Sequence, residues 1–253
     1  MKMIFKIAKT ELQTLFYSPV AWLILIVFTF QASILFTGTF GMSVRSQALE
    51  YEVRNLTLFT FGGDYGLFTH IQQYLYLYIP LLTMGLMSRE LSSGSIKLLY
   101  SSPVTNKEIV LGKYFAMLVY GLVLIGILAI YVLYSACTIK AFDFTVALSG
   151  LLGLYLLICA YASIGLFMSS LTSYQVVSAM GTLAILAALS LVRGMWQDIE
   201  FVRDITYWLS INGRADEFVN GLICSEDILY FLIVIALFLT LTILRLQVIR
   251  QKT

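Results

Sequence analysis

Met87-Ser88-Arg89-Glu90-Leu91-Ser92-Ser93-Gly94-Ser95-Ile96-Lys97-Leu98-Leu99-Tyr100-Ser101-Ser102-Pro103-Val104 is a polar break between two runs that are each apolar enough to cross a bilayer. Unpartnered charges and backbone groups are costly in hydrocarbon, so the chain leaves lipid at this break and re-enters it afterwards. The flanking runs lie at about 71–88 and 114–136, and four more follow the same pattern at about 20–40, 146–168, 174–193 and 228–247. A hydrocarbon core of about 30 Å takes roughly 20 helical residues. Stretches such as Leu122-Val123-Leu124-Ile125-Gly126-Ile127-Leu128-Ala129-Ile130 are apolar at every position, whereas barrel strands alternate apolar with polar. The expected fold is an all-α membrane protein with six transmembrane helices, in a single domain over residues 1–253.

Composition agrees. Of 253 residues, 60% are hydrophobic and 12% charged, and the mean hydropathy of +0.89 is foreign to soluble domains. Six crossings put both termini on one side. With the termini inside, the inner segments carry Lys2, Lys6, Lys9, Arg89, Lys97, Lys107, Lys113, Arg245, Arg250 and Lys252; the outer ones carry Arg45, Arg54, Lys140, Arg193, Arg203 and Arg214. That excess places both termini in the cytoplasm. The net charge of +2, with no basic patch interleaved with aromatics, gives nucleic acid no footing. The first apolar run is too long for a signal peptide and lacks a small-residue cleavage site, so it is expected to stay in the mature protein.

Residues 2–17 place Phe5, Ala8, Leu12, Leu15 and Phe16 on one helical face, with Lys2, Lys6, Lys9 and Gln13 opposite. This predicts an amphipathic helix lying on the membrane, its lysines at lipid headgroups. Ser18-Pro19 then breaks it and opens the first span. Gly62-Gly63-Asp64 marks a turn in the outer segment 41–70. Tyr74 and Tyr78 share a face in the second span; with Thr83 they form either an interfacial aromatic belt or the wall of a candidate translocation path. Thr105-Asn106-Lys107-Glu108 is a capping box that starts the helix of span three. Spans four and five are joined by Ser169 to Ser173 alone and should be antiparallel neighbours. Ser149, Gly153, Ala184 and Ala188 offer small surfaces for close helix approach. The outer segment 194–227 mixes charges with Trp196, Trp208 and Phe218 and contains Gly221, which suits short re-entrant helices. Cys137 and Cys224 are candidates for an outer disulfide, with two free thiols the simpler reading; Cys159 is packing.

The chemistry that is missing is equally informative. No G-x-x-x-x-G-K-S/T loop is present to hold a nucleotide, and Leu91-Ser92-Ser93-Gly94-Ser95 echoes a transporter-ATPase signature loop by coincidence. His70 is the sole histidine, with no cysteine or carboxylate spaced to join it on a metal. No nucleophile sits beside a base, so the chain is expected to be no enzyme and to hold no metal or cofactor. The central thirds of the spans lack charges, which disfavours ion-coupled transport.

Glu90-x-x-x-Gly94-Ser95-Ile96-x-x-Leu99-x-x-Ser102-Pro103-Val104-x-x-x-Glu108-Ile109-Val110-Leu111-Gly112-Lys113 resembles the segment between spans two and three of ABC-2 type permeases, the membrane subunits of one class of ATP-binding cassette exporters. The likeness extends over the whole chain. Leu209-Ser210-Ile211, Phe218, Gly221-Leu222-Ile223 and Asp227-x-x-Tyr230-Phe231 are most similar to the gliding-motility permeases of Bacteroidetes and the copper-processing permeases of denitrifiers. That subgroup often has a histidine where this chain reads Gly213-Arg214, so no role of that histidine carries over. The resemblance implies an ABC-2 exporter fold with a cytosolic coupling helix at 89–104, contacting a separate ATPase through Arg89, Glu90, Ser92, Gly94, Ser95, Ile96, Lys97, Leu98 and Leu99. It implies that ATP and magnesium are bound by that ATPase dimer and that the permease pairs with a second copy or a sister permease in a bacterial inner membrane. The implied function is substrate export or movement driven by the ATPase. The alternative is a mechanotransmission or scaffold subunit acting on a periplasmic or envelope partner without moving cargo.

Overall fold

The computed structural model describes residues 2–48, 55–63, 65–96, 104–139, 141–191 and 210–252. Lys97, Leu98, Leu99, Trp196 and Trp208 lie outside the described residues. Among the described residues the chain forms helices and no strand. In chain order these are α1 (Lys2–Tyr17), α2 (Pro19–Ala48), α3 (Leu56–Phe61), α4 (Leu67–Thr83), α5 (Ser88–Ser93), α6 (Asn106–Thr138), α7 (Phe144–Leu171), α8 (Gln175–Leu191), α9 (Ile211–Val219) and α10 (Ser225–Lys252).

Local sequence explains the boundaries. Pro19 opens α2 at a position where its missing N–H is no loss. Thr105 and Glu108 form the expected reciprocal capping box at α6. Asp143 caps α7 through Thr145 N–H, and Ser210 caps α9 through Gly213 N–H at 3.1 Å.

By length and composition four helices can cross a membrane: Pro19–Arg45, Asn106–Thr138, Phe144–Leu171 and Ser225–Gln251. α4 and α8 are apolar but reach 17 described residues each, about 26 Å of helix against a core of about 30 Å. α4 begins four residues before the expected span and stops at Thr83 rather than at 88; Met84 to Met87 turn instead. Side chains take over the backbone there: Thr83 Oγ1 donates to Ile79 C=O at 2.9 Å, and Ser88 Oγ donates to Met84 C=O.

α7 is the central post, with 72% of its span buried against 17% for α10, and it packs against α3, α4, α5, α6, α8, α9 and α10. Phe68, Phe218, Tyr161, Leu154 and Leu157 form the core around it. Outward faces are apolar as well, including Trp22, Leu23, Ile26 and Phe30 on α2 and Leu232, Ile233 and Leu237 on α10. Such surfaces suit hydrocarbon rather than water. Buried hydroxyls tie the long helices together where lipid offers no partner: Tyr120 donates to Ala21 C=O at 2.7 Å, Ser33 and Tyr131 bond at 2.6 Å, and Tyr78 donates to Gln31.

The bundle has two distinct ends. One gathers α1, α5 and the start of α6 with the ends of α4, α7 and α10; there Arg250 donates to Val104 C=O at 3.3 Å. The other gathers α3 and α9 with the starts of α4, α7 and α10, where Gly63 N–H donates to Asn220 at 3.1 Å. The small residues Ser149 and Gly153 do permit close approach, but to α9: Ser149 donates to Phe218 C=O at 2.9 Å, and a Cβ on Gly153 would meet Phe218 Cβ at 2.3 Å. Cys137 and Cys224 are free and exposed.

Candidate functional site

Within the polar break, Ser88–Ser93 forms the short helix α5, clamped into the bundle at one end. Ser169, from the last turn of α7, accepts the N–H groups of Met87 (2.9 Å) and Ser88 (3.0 Å) and donates to Met84 C=O at 2.9 Å. One hydroxyl thereby satisfies amides that a helix start leaves without an internal partner. A Cβ on Gly165, one turn earlier in α7, would meet Thr83 Oγ1 at 2.1 Å, so α4 and α7 touch backbone to side chain at the same level.

Four charges complete the clamp. Lys113 Nζ, with its side chain 2% exposed, lies 3.0 Å from Glu11 Oε2 and 2.7 Å from Glu90 Oε1. Arg89 reaches Glu11 Oε1 at 3.1 Å. Two cations face two anions, so the cluster is neutral, and it links α1, α5 and α6, with Lys113 and Glu11 its most buried members. Ionised partners make hydrogen bonds about twice as strong as neutral ones, and burial raises the cost of separating them. α1 is set for this role by its inward register of Ile4, Ile7, Glu11 and Leu15. A Cβ on Gly112 would meet Ile7 Cγ2 at 2.7 Å, which lets α1 lie directly on α6.

Of the residues expected to face an ATPase, Glu90 instead turns inward to Lys113, while Arg89 is 43% exposed at its side chain. Ser92, Ser93 and Gly94 are exposed, Ser95 is half-buried and Ile96 is buried. Gly94 ends α5 at φ +70°, a left-handed cap that glycine adopts without the clash a Cβ would bring. The free tip of α5 is therefore small, polar and sharply turned. A cavity of about 280 Å³ lies instead beside the charge cluster, lined by Lys6, Ile7, Glu11, Glu90, Val104 and Lys113 among others.

The expected path residues differ in burial. Tyr74 is partly exposed, Tyr78 is buried on Gln31 and stacks edgewise on Phe28, and Thr83 is fully buried. At the opposite end, Phe218 and Gly221 belong to the anchoring of α9. Gln72 of α4 donates to Asn212 C=O (2.9 Å) and Asp216 (2.7 Å), and Tyr161 of α7 donates to Asn212 at 2.6 Å. Arg214 pairs with Asp227 at 2.5 Å and lies over the Tyr230 ring at 4.6 Å.

Three members of the α5 clamp escaped sequence reasoning: Glu11, Lys113 and Ser169. Glu11 carried a signal, as an acid inside the apolar 4–7–11–15 register of α1. Ser169 carried none, because serines close to a span end are ordinary.

α5 is thus held at one end of the bundle by contacts with α1, α6 and α7. The family model for ABC-2 family transporter proteins matches residues 5–248. The chain belongs to the ABC-2 transporter family. It is thus a permease membrane component and a multi-pass helical membrane protein. ABC-2 permeases are generally non-catalytic and normally work with a cytosolic ABC ATPase carried by a partner subunit. No curated protein matches this chain.

Proposed function

We propose that this ABC-2 permease converts ATP hydrolysis by a separate cytosolic ATPase into movement of a substrate across a bacterial inner membrane, with the exposed tip of α5 as the contact. The observation that carries the reading is the α5 clamp. A force applied at Ser92 to Gly94 passes through Glu90 to Lys113 on α6, through Arg89 to Glu11 on α1, and through the Ser169 hydrogen bonds to α7. Packed elements of this kind move as bodies between discrete arrangements, and a ligand shifts them only through contacts that differ between the states.

In this reading α4 and α8 are the second and fifth spans, completing six with both termini in the cytoplasm. The turn Met84 to Met87 and α5 extend α4 toward the membrane surface. Lys97, Leu98 and Leu99 continue the contact, and a second permease copy or a sister permease completes the unit. Within the family, the Phe218, Gly221, Asp227 and Tyr230-Phe231 pattern favours kinship with the gliding-motility and copper-processing permeases. A second reading is favoured by the firm mounting of α9 through Gln72, Tyr161 and Asp227: the moving bundle acts on an envelope partner at that end and carries no cargo.

The test is co-purification with the ATPase and measurement of hydrolysis in liposomes. Gly94→Pro, which cannot adopt a positive φ, and Ser92→Glu should each leave the protein inserted and strip it of ATPase stimulation. Retained stimulation in both variants overturns the reading. ATP-driven flux of a solute supports transport, and hydrolysis that responds only to a protein partner supports the second reading.

A further inference from the structure

At the end of the bundle remote from α5, the turn between α9 and α10 gathers three donor groups. Glu217 lies in the last turn of α9, Cys224 directly precedes α10, and Asp227 lies in the first turn of α10. A carboxylate oxygen from each acid and the Cys224 Sγ all fall within 4.8 Å of one another. The backbone builds this arrangement. Asn220 N–H donates to Asp216 C=O at 3.0 Å and Leu222 N–H to Glu217 C=O at 2.9 Å. Gly221 makes the reversal at φ +90°, with Val146 Cγ2 only 3.0 Å from where a Cβ would stand. The three-residue spacing of Cys224 and Asp227 puts them on one face of the helix start.

A second observation concerns Asp227 alone. It is 2% exposed; its Oδ1 is held by Arg214 at 2.5 Å, while its Oδ2 is buried with no hydrogen-bond partner among the described residues. A buried carboxylate oxygen without a donor is costly and calls for an electrophile.

We infer that Glu217, Cys224 and Asp227 bind a divalent cation of the zinc class, with a fourth position open to water. Two carboxylates and one thiolate present anionic donor atoms to the ion, beside the Arg214–Asp227 pair. Hard ions such as magnesium and calcium prefer an all-oxygen shell, whereas a mixed oxygen and sulfur set suits zinc. Zinc bonds of about 2.0–2.3 Å put tetrahedral ligand atoms roughly 3.5 Å apart. The three donor atoms already lie within 4.8 Å of one another, with Cys224 exposed and Glu217 half-buried. On binding, the Cys224 S–H bond breaks, its proton goes to solvent and the sulfur lone pair forms the metal bond. Arg214, fixed over Tyr230, holds the Asp227 carboxylate in orientation. This site stands apart from the α5 clamp and does not depend on the permease mechanism.

The test uses the full-length protein in detergent, with zinc chloride as the probe and equilibrium dialysis as the measurement. One equivalent of zinc per chain is expected. Cys224→Ser and Glu217→Gln should each weaken it by at least about tenfold, the lower end of what losing even a supporting residue costs a metal site, while Cys137→Ser leaves it unchanged. Zinc should also slow maleimide labelling of Cys224 and spare Cys137. No stoichiometric retention, equal retention in Cys224→Ser, or equal labelling of Cys224 with and without zinc overturns the inference.

Discussion

Lys113 is the residue on which the clamp turns, because it alone touches carboxylates from two different helices. Removing one partner of a buried ion pair leaves the other charges without compensation and costs about 3–5 kcal/mol. Arg89 lies at the margin, 43% exposed, where an ion pair contributes about 0–1 kcal/mol. Lys113→Met should therefore lower thermal stability in detergent severely, while Arg89→Ala should change it little; comparable effects would mean that the cluster is not the anchor described. Glu11 and Lys113 are 102 residues apart, and no local pattern in the sequence links them. What the sequence does display is each residue's anomaly, an acid in an apolar helical register and a cation where a span begins. Arg214 teaches the same point: it stands 13 residues from Asp227, and their pairing needs the fold that brings α9 onto α10.

At the scale of elements, α5 depends on support from α7. Ser169→Ala would leave the Met87 and Ser88 amides unpaired, at a cost of about 1–3 kcal/mol. Hydrogen exchange at residues 88–90 should then accelerate by about tenfold or more, with α7 itself unaffected. Unchanged exchange would show that α5 is held by its charges alone. Gly153→Leu should expel Phe218 and destabilise the protein by overpacking, by about 1–3 kcal/mol, with protease sensitivity rising in the α9 region. Boundaries set by near neighbours were legible beforehand: the Ser18-Pro19 break, the Thr105 and Glu108 capping box, and the helix over 2–17. The partner of Ser149 and Gly153 was not, because small residues at helical spacing announce close approach without saying to what. The early end of α4 was hidden too, since Leu82, Met84, Leu86 and Met87 are as apolar as the residues before them, and hydroxyl groups of Thr83, Ser88 and Ser169 decide where the helix stops.

At the scale of the whole molecule, apolar residues clothe nearly every outward face of the long helices, while the charged clusters gather at the two ends. Hydropathy alone conveys the all-helical membrane character, because hydrocarbon forbids most alternatives. It says less about α4 and α8, whose 17 described residues each are marginal for a bilayer, so six crossings belong to the proposed reading. The family match over residues 5–248 fits this architecture, and in the proposed reading the clamp carries a partner's motion to α1, α6 and α7 together. The most direct measurement is photocrosslinking in intact cells from a benzoylphenylalanine placed at Ser92, with Tyr65 at the other end of the bundle as control. The expected result is capture from Ser92, and not from Tyr65, of a protein bearing the G-x-x-x-x-G-K-S/T nucleotide-binding loop, with capture lost on adding Gly94→Pro. Capture of that ATPase from Tyr65, or its absence at Ser92 from a membrane complex that still hydrolyses ATP, would contradict the account.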